Sequence, residues 1–196
     1  ESSVARGDVV VDFSAREGTL GAARICAERG AGLVSGTTGL DREAEDGVRA
    51  ASKRCAVLRA ANFSLGVAAL RRALNEILTA LPADWDVELV ERHHRDKVDS
   101  PSGTALALAR LAAERRGLGE EALRFGREGP VGPRPPGEIG VHAVRGGSWV
   151  GEHSVLISGS GEWVELKHAA SDRHAFANGA LAAAQYVATA PPGLYT

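Results

Sequence analysis

Between residues 8 and 82 the chain alternates three short strand-like runs with three stretches that carry helix punctuation, and this alternation restricts the fold more than any other feature. The run at 8–13, DVVVDF, is β-branched and apolar at its centre, which predicts a strand buried on both faces of a parallel sheet. Ser14 then reads as a helix N-cap with Glu17 three residues on, as in a capping box, and the helix should run to Arg29 before Gly30 stops it. The unit repeats with a strand at 32–35, the loop GTTGL, and a polar helix capped by Asp41 and ending near Arg54. A third strand at 56–60 leads into ANFS. After Ser64, Leu70, Leu74, Ile77, Leu78 and Leu81 recur at helical spacing until Pro82. Strands separated by helices of this length need crossover connections, and so a parallel sheet.

The character changes after Asp84. Trp85, Val87 and Leu89 alternate along WDVELVERHH, the turn SPSG opens a helix over about 104–116, and residues 126–140 are rich in proline and glycine and read as a loop. Extended runs at 139–145 and 148–158 follow. Gly159, Ser160 and Gly161 form a hairpin turn before a strand at 162–167, and an alanine-rich helix covers about 175–188. The expected architecture is thus α/β: a partial Rossmann-type parallel sheet followed by a second, sheet-forming α/β half.

A chain of 196 residues can bury such a core without disulfides or structural metal. The net charge of −2 gives no broad attraction to nucleic acid or an anionic membrane, and no apolar run approaches a membrane span. Cys26 and Cys55 lack metal-type spacing and read as reduced thiols of a cytoplasmic protein. Adjacent imidazoles on a strand point to opposite faces, so His93 and His94 do not suggest a shared ion, and no metal site is expected. His142, His153, His168 and His174 read as ordinary hydrogen-bonded histidines, and no nucleophile elbow points to acyl transfer.

Two places could carry chemistry. GTTG and ANFS both follow the C-terminal ends of expected parallel strands, where ligands bind in open α/β sheets, although no glycine-rich dinucleotide fingerprint is present. Their composition equally fits a plain turn and a helix cap. The segment ERHHRDKVDSPSGT places two imidazoles, a guanidinium and an ammonium within seven residues, directly after an expected strand. Clustered cations suit an anionic substrate, and the amides of Ser102, Gly103 and Thr104 at a helix start would hold a carboxylate. A solvated basic face is the competing explanation, weakened by Val98 and Pro101, which shape the loop.

The string ERHHRDKVDSPSGTAL resembles the signature of the dihydrodipicolinate reductases, and VVVDFS, SGTTGL, AANFSLGV, VRGGSWVGEHSV and HAASDRHAFANGAL match the same family in the same order. The resemblance implies reduction of a hydroxy-tetrahydrodipicolinate by NADH or NADPH, with loss of water, in lysine and diaminopimelate synthesis. It implies that His93 is the general acid and that Lys97 assists it and binds substrate. His94, Gly103 and Thr104 would hold the two carboxylates of a small dicarboxylate substrate. Gly36, Thr37, Thr38, Ala61, Asn62 and Phe63 would line the nicotinamide, and Arg173 would lie near the domain junction and contribute to substrate binding. The implied fold is a dinucleotide-binding domain of residues 1–64 and 175–196 and a mixed-sheet substrate domain of residues 65–174 that forms a homotetramer. Family members begin with an earlier strand and a glycine-rich turn, so the chain is expected to be truncated at its N-terminus and to bind NADH or NADPH poorly by itself. A truncated, non-catalytic paralogue that serves as an assembly or small-anion-binding module is the alternative.

Overall fold

The computed structural model describes residues 3–196, whose contacts divide into two compact units, Glu1–Ser64 with His174–Thr196 and Leu65–Arg173.

The first unit is a four-stranded parallel sheet. Strands β1 (Val9–Asp12), β2 (Gly32–Ser35) and β3 (Ala56–Arg59) pair in chain order, and β9 (Gly193–Tyr195) joins β3. Helices α1 (Arg16–Arg29) and α2 (Arg42–Ala51) pack Ala23, Cys26 and Val48 onto Leu33 and Val57. The neighbouring Val34 faces the other way, into a second core with Ala180 and Val187 of α5 (His174–Val187). Gly30 stops α1 with a left-handed φ of 69°, and Asp41 caps α2 through the Ala44 N–H, both as expected.

Three local expectations fail in this unit. Strand β1 is not buried on both faces: among the described residues it pairs only with β2, and with one neighbouring strand Val11 is left 45% exposed. Ser14 does not cap α1, because the Asp12 carboxylate takes both its N–H and its hydroxyl, and Ala15 holds the cap position without a side-chain bond. Helix α2 stops at Ala51 rather than Arg54, since the Lys53 and Arg54 amides tighten to the carbonyls three residues back.

The second unit is a five-stranded mixed sheet, ordered β5-β6-β4-β7-β8, from β4 (Asp86–His93), β5 (Leu123–Phe125), β6 (Ile139–Arg145), β7 (Gly151–Ser158) and β8 (Trp163–Ala170). Strand β4 is central, parallel to β6 and antiparallel to β7. Helices α3 (Leu65–Ala80) and α4 (Gly103–Arg115) cover one face, where Leu74, Leu78, Leu108 and Ala112 meet Val87, Leu89, Val155 and Ile157. On the opposite face Glu88 accepts hydrogen bonds from Arg127, Arg134 and His142, so the proline-rich segment before β6 is tied to the sheet by ion pairs. No helix of the described residues is long and apolar enough to cross a membrane.

Candidate active site

The period of two along β4 points Val87, Leu89, Glu91 and His93 toward the helices. The first two join the apolar core; the last two make the same face polar at the strand's C-terminal end. Glu91 is only 1% exposed, and an ionised carboxylate so deep needs partners. It has three. Arg145, which stands opposite His93 on β6, donates to both carboxylate oxygens at 2.7 Å, the Ser102 N–H donates at 2.9 Å, and His93 Nδ1 lies 2.6 Å away. Burial pushes the Glu91 carboxyl up, but Arg145, His93 and the Ser102 amide together hold it below its ordinary value.

An ionised carboxylate can only accept, so His93 Nδ1 carries a proton and Nε2 is the nitrogen left for exchange. Among the described residues Nε2 makes no hydrogen bond. It lies over Gly151, where a Cβ would fall 2.9 Å from it, so only glycine leaves the ring its place. The His153 ring meets His93 edge-on at 5.3 Å and 74°. His153 Nε2 is 3.0 Å from Ser102 Oγ, which accepts the Ala105 N–H and so caps α4. Burial first, then the nearby His93, lower the His153 pKa to about 4, so this imidazole is neutral near pH 7.

The turn after β4 is fixed by the connection between β6 and β7: His94 N–H donates to Trp149 O, Arg95 N–H to Gly147 O, and Gly146 N–H to His93 O. Half-buried Lys97 pairs with Asp99 at 2.7 Å, and this ammonium holds the Asp99 carboxyl below its ordinary value. Ser102 was expected to offer its amide to a carboxylate, but Glu91 already occupies it. Gly103 and Thr104 remain as the first residues of α4, and beyond its chain neighbours and the helix backbone nothing lies within 4 Å of where a Gly103 Cβ would stand. His93, His94, Lys97, Gly103 and Thr104 thus belong to one unit and one strand-turn-helix segment. Arg173 is exposed in the turn before α5 and makes no ion pair with this cluster.

The residues expected around a nicotinamide lie in the first unit, at the C-terminal ends of β2 and β3. The buried Asp12 carboxylate gathers the hydroxyls of Thr19, Ser35 and Thr37 at 2.6, 2.9 and 3.0 Å. Burial raises this carboxyl, and the Ser14, Thr19 and Ser35 bonds more than offset it. Asn62 Oδ1 accepts the Ser64 N–H, and Phe63 meets the exposed ring of Phe13 edge-on at 5.3 Å. A Cβ on Gly36 would strike the Phe13 ring at 2.2 Å, so the backbone here runs against an aromatic edge. Thr38 and Ala61 are exposed beside it.

Comparison with known proteins bears on both units. The family model for the N-terminus of dihydrodipicolinate reductase matches residues 1–63, and that for its C-terminus matches residues 66–196. The chain belongs to the dihydrodipicolinate reductase family. The 4-hydroxy-tetrahydrodipicolinate reductase of Myxococcus xanthus is 46% identical over 191 residues, 97% of this chain and 70% of the relative. That of Caulobacter vibrioides is 44% identical over 198 residues, 100% of this chain and 77% of the relative. Among solved structures, a dipicolinate-bound dihydrodipicolinate reductase from a Paenisporosarcina species matches with a TM-score of 0.77 and 26% identity, covering 95% of this chain and 71% of that one.

Three members of the cluster escaped the reading of the sequence. Glu91 was legible: the alternation that places Val87 and Leu89 inward continues to Glu91 and His93, and a carboxylate at an inward strand position calls for a partner. Arg145 and His153 carried no such signal, because only the registers of β6 and β7 bring them to the end of β4.

Proposed function

We propose that the chain reduces 4-hydroxy-tetrahydrodipicolinate to tetrahydrodipicolinate, with loss of water, in the lysine and diaminopimelate route, using NADH or NADPH. The names of the relatives at about 45% identity support the substrate and the reaction. The observation that carries the assignment is the buried His93, held at Nδ1 by Glu91 with Nε2 unbonded, in the segment that opens α4.

The roles follow from chemistry. His93 donates the proton from Nε2 to the ring carbon next to the one that is reduced. Lys97 faces the substrate carboxylate and the negative charge that develops on the ring, with Asp99 holding the ammonium until substrate arrives. His94 and the amides of Gly103 and Thr104 take the carboxylates, favoured by the positive end of α4. Arg173 adds a further cation. The solved relative that holds dipicolinate, a planar ring with two carboxylates, supports this ligand class.

The cofactor supplies the hydride when bound. Phe13 and Gly36 offer a flat, close-approach surface that fits an aromatic ring, and Thr37, Thr38, Ala61, Asn62 and Phe63 surround the same strand ends. The first unit is therefore read as dinucleotide-binding and the second as substrate-binding. We also infer a homotetramer formed through the helix-free face of the second sheet, where Val144 and Trp163 are exposed, and a cytoplasmic location for a protein with two free, buried thiols.

The test is steady-state turnover of freshly generated substrate, followed by loss of reduced nicotinamide absorbance with NADH and with NADPH in parallel. Lys97→Ala should lower kcat and raise KM together, by about tenfold or more in kcat/KM. Unchanged kinetics would remove Lys97 from the site. A monomer with full activity on sedimentation would overturn the tetramer.

A further inference from the structure

We propose that Glu91, clamped by Arg145, is a positioning residue that fixes which nitrogen of His93 faces the substrate and locks that imidazole to the start of the helix expected to hold the substrate carboxylate. The proposal rests on the assignment of His93 as proton donor. Its geometry is independent of that assignment. One carboxylate oxygen of Glu91 accepts from the Ser102 N–H and from Arg145; the other faces His93 Nδ1 and Arg145. Arg145 also donates to the Asp99 carbonyl, so the carboxylate and the turn that carries Lys97 share one guanidinium. A carboxylate this buried, at 1% exposure, with bidentate arginine, cannot rotate without breaking several bonds at once.

The consequence is chemical. A carboxylate at Nδ1 keeps the proton on Nδ1, and Nε2 alone then gives and regains the transferred proton. Without it the ring can flip or adopt the other tautomer, and the acid points its exchangeable proton into the protein. Besides Glu91, the neutral His153 from β7 meets the His93 ring, Arg145 stands opposite it on β6, and the following turn carries His94, Arg95, Asp96 and Lys97. Glu91 is the one anion among them in direct contact with the ring.

Two measurements test this. Nitrogen-15 NMR of histidine-labelled protein, without substrate and at a pH where the ring carries a single proton, should show that proton of His93 on Nδ1; a proton on Nε2 overturns the proposal, whatever the activity. In the kinetic test, Glu91→Gln should lower kcat on the order of 10²-fold, with a smaller change in KM, and move the alkaline fall of the kcat profile to lower pH. In a His93→Gln background the same substitution should cost almost nothing more, because Glu91 acts through that ring. An equal loss in both backgrounds marks a merely structural role and overturns the proposal. Should Glu91→Gln not fold, as tryptophan fluorescence would reveal, Arg145→Lys takes its place in the same cycle with the same two outcomes. A fully active His93→Gln enzyme would instead sink the assignment of the acid, while the tautomer result would still stand.

Discussion

His153 makes the stability of the second unit depend on pH in a way that can be isolated. It is 5% exposed, packed on the His93 edge and close to Ser102 Oγ, and burial followed by the neighbouring His93 lowers its pKa from 6.5 to about 4. Below the ordinary imidazole pKa the unfolded chain takes up a proton that the folded chain refuses. Stability from this group is therefore fully present above about pH 6.5 and is lost as the pH falls toward the folded value of about 4. A shift of that size corresponds to about 3 kcal/mol in all, with about 2 kcal/mol gone by about pH 5. His153→Gln keeps a polar group beside Ser102 but cannot titrate. All three tryptophans, Trp85, Trp149 and Trp163, lie in the second unit, so urea unfolding followed by their fluorescence reads this unit directly. Between about pH 7.5 and pH 5 the protein should lose about 2 kcal/mol more than His153→Gln does. Parallel pH dependence in the two proteins would refute the reasoning.

Two further outcomes concern the first unit. Asp12→Ala strips three buried hydroxyls of their shared acceptor and should lower stability by about 2–3 kcal/mol, while raising the KM for the reduced nicotinamide because Thr37 loses its anchor; calorimetry and cofactor titration check the two effects. Gly179→Ala would bring a Cβ to 1.6 Å from the Phe63 carbonyl oxygen, so α5 must shift, at a cost of about 1–3 kcal/mol seen as a lowered melting temperature.

The fold was largely legible because its elements announce themselves locally. Gly30 and Asp41 mark helix ends by backbone and cap chemistry, and β4 shows its period of two over eight residues. Strands β5 and β9 have three residues each, too few to show any period, and both exist only through their neighbours. Ser14 misled for a related reason: a capping box is a local pattern, and the buried Asp12 two residues earlier competes for the same hydroxyl. At the site, the sequence showed His93, His94, Lys97 and Gly103 because they are close along the chain. It concealed Arg145 and His153, which join them through strand pairing alone.

In the proposed function His93 is the proton donor of a dicarboxylate reductase. Steady-state turnover of 4-hydroxy-tetrahydrodipicolinate by His93→Gln, at saturating reduced nicotinamide, tests it most directly. The kcat should fall by roughly 10²–10⁴-fold, with the substrate KM within about threefold of the parent protein. A His93→Gln protein that turns over at the parent rate would contradict it.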